Sequence, residues 1–146
     1  MFDPTKHQFS YMLSKYDCFR KLTGKCSLML TDDEFKKFAL KEKPINEEET
    51  YEDREEQSVH YCRLLLRSFH SRGILKPVII HPNSCGHYAF TDGQHRTCIA
   101  KTVGMVNIPA NISEASSSEC RVCYFRKQSI KFRIKLAFGL SDEFTR

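Results

Sequence analysis

Asp92, Gly93, Gln94, His95, Arg96 and Thr97 stand where a β-type run, Tyr88-Ala89-Phe90-Thr91, gives way to helically spaced Thr97-Cys98-Ile99-Ala100-Lys101-Thr102-Val103. A strand that breaks at Asp-Gly and turns at once into a helix leaves the first helical N–H groups unpaired above the turn. That arrangement suits an anion. The helix dipole favours negative charge, glycine lets a phosphate approach the backbone, and His95 and Arg96 add donors, the guanidinium in bidentate fashion. The chemistry expected is capture of a nucleotide or another phosphate. Spacing alone fits a plain turn with a surface Arg96 equally well.

The elements that would hold this turn are legible on both sides of it. Pro77-Val78-Ile79-Ile80 reads as a buried strand, His81 to Gly86 as its turn, Tyr88 to Thr91 as the returning strand, and the following helix ends at Gly104. Asn107 to Ile112 reads as a further strand that Pro109 places at an edge. Upstream, Thr31-Asp32-Asp33-Glu34 forms a capping box for a short helix that Pro44 stops. The clearest helix carries Val59, Cys62, Leu65, Leu66 and Phe69 at three- and four-residue steps and ends at Gly73. Its other side presents His60, Arg63, Arg67 and Ser71, and Arg63 and Arg67 are candidates for outer phosphates where that side borders the turn.

Near the C-terminus Ile130, Phe132, Ile134, Leu136 and Phe138 alternate with Lys131, Arg133, Lys135 and Ala137. That period predicts a strand with one apolar and one basic face, pairing with Arg121 to Phe125, with a helix as the alternative there. The basic face suits either a solvated edge or a polyanion such as a DNA backbone. Cys120-x-x-Cys123 with Cys85 and His87 is an incomplete zinc pattern: residues three apart on a strand face opposite ways, and no second Cys-x-x-Cys exists. No metal site is expected.

The order from Ser58 to Ile112 (helix, Gly73-Ile74-Leu75-Lys76-Pro77-Val78, hairpin, Asp92-Gly93-Gln94-His95-Arg96, helix, Gly104, Ile108-Pro109) resembles the ParB/sulfiredoxin superfamily. The resemblance implies an α+β fold with a small mixed sheet and packed helices. In that family the corresponding turn holds nucleotide phosphates, CTP in chromosome-partition ParB proteins and ATP in sulfiredoxin. It therefore implies Gly93, Gln94, His95 and Arg96 as phosphate ligands, with Asp92 and Thr97 beside them as candidates, ATP or another NTP with Mg²⁺ as cofactors, and NTP hydrolysis or small-molecule phosphotransfer as the activity. The Asp-Gly-Gln-His-Arg spelling also names a domain group of bacterial DNA-modification systems, but this chain is shorter than those proteins and the spelling does not carry their role over. A DNA-associated module, in which the same loop and Lys131, Arg133 and Lys135 track a phosphate backbone, is the second reading. Serine-kinase-like members place an acidic base ahead of the first helix. Glu47, Glu48, Glu49, Glu52 and Asp53 fill that stretch without one being singled out by spacing, and Glu49 and Glu52 stand as the catalytic candidates. Gln94 replaces the sulfiredoxin cysteine, and an amide cannot form a thiol intermediate, so sulfiredoxin chemistry is excluded. Cys98 lies one helical turn further on and reads as a small packed hydrophobe.

Whole-chain properties agree with such a domain. The chain has 146 residues, 40% hydrophobic and 28% charged, long enough for one core without staples. We expect residues 1–50 as a partly helical extension and 51–146 as the ParB/sulfiredoxin-like domain with a C-terminal hairpin. Seven cysteines form an odd set in a chain with no apolar leader, which predicts reduced thiols and a cytoplasmic protein. No apolar run approaches the roughly 18 residues of a membrane span. A net charge of +5 leaves the partner and the oligomeric state open.

Overall fold

The computed structural model describes residues 1–114, 119–127, 130–138 and 143–145. The fold is α+β: strands β1 (Ser10–Met12), β2 (Val78–Pro82), β3 (Tyr88–Asp92), β4 (Ala110–Ile112) and β5 (Glu143–Thr145), with helices α1 (Phe19–Thr23), α2 (Asp32–Ala39), α3 (Tyr61–Arg72), α4 (Gln94–Val103), α5 (Arg121–Lys127) and α6 (Ile130–Ala137). It packs as two compact units. Residues 1–12 join those from Ile74 onward in one unit, and Leu13–Gly73 forms the other. The N-terminal segment belongs with the later residues because Phe2 and Ile108 exchange backbone hydrogen bonds of 2.9 Å each.

In the first unit β2 is central, antiparallel to β3 and parallel to β4, with an irregular register between Ile79 and Ile80. Val78 and Ile80, two apart and so on one face of β2, are fully buried, while Ile79 between them is half-buried. Ile99, Ala100 and Ile108 join them in the core, and Phe9 stacks on Phe90 with centroids 4.9 Å apart. β1 pairs with β5.

In the second unit Phe19, Leu30 and Val59 form the core, with Phe35, Phe38 and Ala39 packed on it. The capping box of α2 forms as expected: the Glu34 N–H donates to the Thr31 hydroxyl at 3.3 Å and the Thr31 N–H to the Glu34 carboxylate at 3.1 Å. α3 buries Leu64, Leu65 and Phe69 and ends at Gly73, whose N–H bonds the Phe69 carbonyl at 2.9 Å.

The C-terminal expectation is corrected. Arg121 to Phe125 and Ile130 to Phe138 form no hairpin, since α5 and α6 occupy that stretch. An alternating pattern contains a four-residue one: Ile130, Ile134 and Phe138 are spaced to share one helical face. The basic residues fare differently. Lys131 and Lys135 stay one turn apart, while Arg133, two residues on, turns to the far side, so the continuous basic face is lost.

Candidate phosphate-binding turn and a cysteine–histidine cluster

β3 ends at Asp92, Gly93 takes φ +94° and ψ 23°, and α4 begins at Gln94 with no side chain capping its first turn. The strand–glycine–helix geometry expected of an anion-binding turn is therefore present. The reason for the glycine differs from expectation. A Cβ at Gly93 would lie 2.5 Å from Val78 Cγ1 and 3.0 Å from Val78 Cα, so the missing side chain makes room for β2.

The side chains of the turn hold it in place. The Arg96 side chain, 12% exposed, pairs with the Asp92 carboxylate at 2.9 Å. Its Nη1 donates to the carbonyls of Lys76 and Pro77, the second at 3.2 Å. Asp92 also pairs with Lys76 at 2.8 Å, and this contact first, then Arg96, holds its carboxyl below the usual range. The Gln94 amide clasps the backbone of Met12, accepting from its N–H at 2.6 Å and donating to its carbonyl at 3.4 Å. Thr97 is fully buried in the core, which removes its hydroxyl as a ligand, and its N–H bonds the Gly93 carbonyl at 2.9 Å. His95 is half-buried. Lys76, which the sequence does not single out as a site residue, places a 74% exposed side chain beside Asp92. Its pairing across 16 residues leaves no local signal.

The remaining candidates sit in the Leu13–Gly73 unit. Arg63 donates to the Ser27 carbonyl at 2.9 Å and lies 4.1 Å over the Phe35 ring, while Arg67 donates to the Glu49 carbonyl at 2.6 Å. His60 is buried at the start of α3, and burial pushes its pKa down. This face of α3 thus serves its own unit.

Glu49 is buried and bound to Arg54 through both oxygens, at 2.5 and 3.0 Å, with a third bond from the Asn46 N–H at 3.2 Å. The Arg54 guanidinium holds the Glu49 carboxyl below its usual range. A carboxyl paired with a guanidinium and held below its usual range is a weaker base than a free one, which counts against Glu49 in the catalytic role. Glu52 is exposed on the turn Tyr51–Asp53, lining an open cleft with Glu42, Asp53, Glu55 and Glu56.

The Glu49 pairing has a pH signature. Its carboxyl titrates lower folded than unfolded, where about 4.3 applies, so the stabilisation is complete above that value and lost as pH falls through the folded one. Glu49→Gln should lower the melting temperature at neutral pH, with the gap to wild type closing under acid. A gap that is constant from pH 7 to pH 3 in thermal melts would show that the ion pair is not its source.

A second constellation was named from the sequence and set aside. Cys85 and His87 in the β2–β3 turn, Cys120 immediately before α5 and Cys123 within it bring four ligand atoms within 4.8 Å of one another. His87 Nδ1 lies 3.3 Å from Cys85 Sγ, 3.5 Å from Cys120 Sγ and 3.4 Å from Cys123 Sγ. The expectation of no metal site assumed a strand at Cys120-x-x-Cys123. A helix start puts residues three apart on one side, which is the physical reason that assumption fails.

The model of the ParB N-terminal domain matches residues 33–127. No curated protein and no solved structure matched the chain. Among the described residues no helix is long and apolar enough to cross a membrane.

Proposed function

The chain belongs to the ParB N-terminal domain family, and we propose that within this family it is a ParB-like module that binds a nucleoside triphosphate by its phosphates at the turn between β3 and α4. The observation that carries this reading is the uncapped first turn of α4 directly after the left-handed Gly93. Backbone N–H groups at such a start point along the helix dipole toward an anion. The exposed Lys76 ammonium, paired with Asp92, adds a positive charge at the same place. Arg96 acts by fixing the turn through Asp92 and the Lys76 and Pro77 carbonyls. Mg²⁺ would arrive with the triphosphate, since it binds chiefly through phosphate oxygens and retained waters.

The proposal is of binding. Glu49 is committed to Arg54, and hydrolysis or phosphotransfer is no part of it. The DNA-backbone alternative has less support, because α6 keeps Lys131 and Lys135 on one side but turns Arg133 to the other.

The test is a thermal-melt series with ATP, CTP, GTP and UTP, each with and without Mg²⁺. A ligand at ten times its dissociation constant adds about 1.4 kcal/mol to stability. For a domain of this size that raises the melting temperature by roughly 3–6 °C. Lys76→Ala should shrink the shift. No shift with any of the four at millimolar concentration would remove the proposal, and binding of duplex DNA that weakens steeply with salt would favour the alternative.

A further inference from the structure

We propose that Cys85, His87, Cys120 and Cys123 bind one Zn²⁺ in a closed tetrahedral site that ties helix α5 to the β2–β3 hairpin. The distances from the imidazole nitrogen fit that ion. With Zn–S near 2.3 Å and Zn–N near 2.0–2.1 Å, a tetrahedron has N···S edges of about 3.6 Å. The three edges from His87 Nδ1 measure 3.3, 3.5 and 3.4 Å. Three thiols crowded around one imidazole nitrogen form only weak hydrogen bonds with it. A central cation gives all four atoms a reason to converge.

The ligand set selects the metal. Thiolate and imidazole in tetrahedral array suit Zn²⁺, whereas Mg²⁺ and Ca²⁺ require oxygen donors. Binding releases the three thiol protons to solvent and leaves three thiolates and a neutral imidazole on the ion, with no change in oxidation state. Four protein ligands close the coordination sphere, leaving no position for a water or substrate, so the site is structural.

The placement explains what such an ion would hold. Cys85 and His87 flank Gly86 in the hairpin turn, and Cys120 and Cys123 bracket the buried Val122 at the start of α5. His87 and Cys120 are 33 residues apart in sequence. Fixing that loop from both ends removes conformational freedom from the unfolded chain. The inference does not rest on the phosphate-binding turn, which lies at the other end of β3.

The test is metal analysis of the full chain purified under reducing conditions without a metal-affinity step. One equivalent of zinc is expected by mass spectrometry of the elements, and Co²⁺ substitution should give the intense visible bands of a tetrahedral ion with thiolate charge transfer. Removing zinc with a chelator should lower the melting temperature, and restoring it should reverse the change. Cys85→Ser and His87→Ala should each weaken zinc binding by more than about a hundredfold, the upper range for losing even an outer-shell partner. Cys26→Ser, outside the cluster, should retain a full equivalent. Cys120 is buried, and its loss could unfold the chain, so His87→Cys serves as a companion. It keeps four ligands and should still bind one zinc, with stronger cobalt–thiolate charge transfer. Wild-type protein that holds no zinc in excess metal and gives no tetrahedral cobalt spectrum overturns the proposal. So does a full equivalent in both Cys85→Ser and His87→Ala, or a disulfide within the set in the freshly reduced protein.

Discussion

Gly93→Ala should destabilise the unit that contains it by about 2–5 kcal/mol, combining a left-handed backbone penalty with an overpacked contact. At φ +94° an L side chain is strained whatever space it meets, and here the space is taken. The new Cβ would lie 2.5 Å from Val78 Cγ1, 2.8 Å from its Cβ and 3.0 Å from its Cα. A flexible side chain could swing away from such a contact. Val78 cannot, because it is fully buried on the central strand and its N–H bonds the Pro109 carbonyl at 3.0 Å. A loss of that size is a large part of the 5–15 kcal/mol that holds a typical domain together. It corresponds to a fall in melting temperature of roughly 5–15 °C. Chemical denaturation of Gly93→Ala, Val78→Ala and the double variant measures the contact separately from the backbone term. The double variant should be more stable than the sum of the two single losses predicts, since trimming Val78 relieves the clash. Strict additivity would place the whole cost of Gly93→Ala on the backbone, and an unchanged melting temperature would refute the packing role.

Gly93 also shows where sequence reasoning stops. Asp92-Gly93 after a β-type run marked the turn, because left-handed glycine and helix start are local events. The atom that demands the glycine belongs to Val78, fifteen positions upstream on the neighbouring strand, and no local window contains it. The capping box at Thr31 and Glu34 was legible for the same reason that it formed: donor and acceptor lie three residues apart. Arg63 and Arg67 were correctly placed on one side of α3, but their acceptors, the carbonyls of Ser27 and Glu49, come from distant segments. Both guanidiniums on that polar face already donate to backbone, although Arg67 and Ser71 stay exposed.

The C-terminal stretch misled for a different reason. Apolar residues at every second position satisfy a strand period, and every second one of those satisfies a helix step of four, so Ile130, Ile134 and Phe138 fit both. That ambiguity carried over to chemistry. Reading a strand through Cys123 put the two sulfurs of Cys120-x-x-Cys123 on opposite faces, whereas α5 gathers them with Cys85 and His87. The signal in the sequence was the pairing of Cys-x-His with Cys-x-x-Cys, one ligand pair per turn or helix start.

Arg96→Ala should cost about 2–4 kcal/mol of stability, because charged hydrogen bonds contribute about 1.5–3 kcal/mol each and do not add fully. The substitution removes the 2.9 Å ion pair with Asp92 and the donors to the Lys76 and Pro77 carbonyls together. Those carbonyls precede β2 directly, and Asp92 closes β3, so the guanidinium fastens the start of α4 to both strands of the hairpin. Arg96→Lys should recover only part of the loss, since a single ammonium cannot spread over two carbonyls and a carboxylate as the planar fork does. Lys76→Ala supplies the contrast. Its side chain is 74% exposed and its pairing with Asp92 is a surface contact, which is worth at most about 1 kcal/mol. The two positions therefore part when stability and nucleotide affinity are measured on the same proteins. Arg96→Ala should melt well below wild type, whereas Lys76→Ala should melt close to it and bind nucleotide roughly tenfold more weakly, the loss of about one charged contact. An Arg96→Ala protein with an unchanged melting temperature and weakened nucleotide binding would reverse the assignment, making Arg96 the direct phosphate ligand and its contacts with Lys76, Pro77 and Asp92 a resting arrangement that the nucleotide displaces.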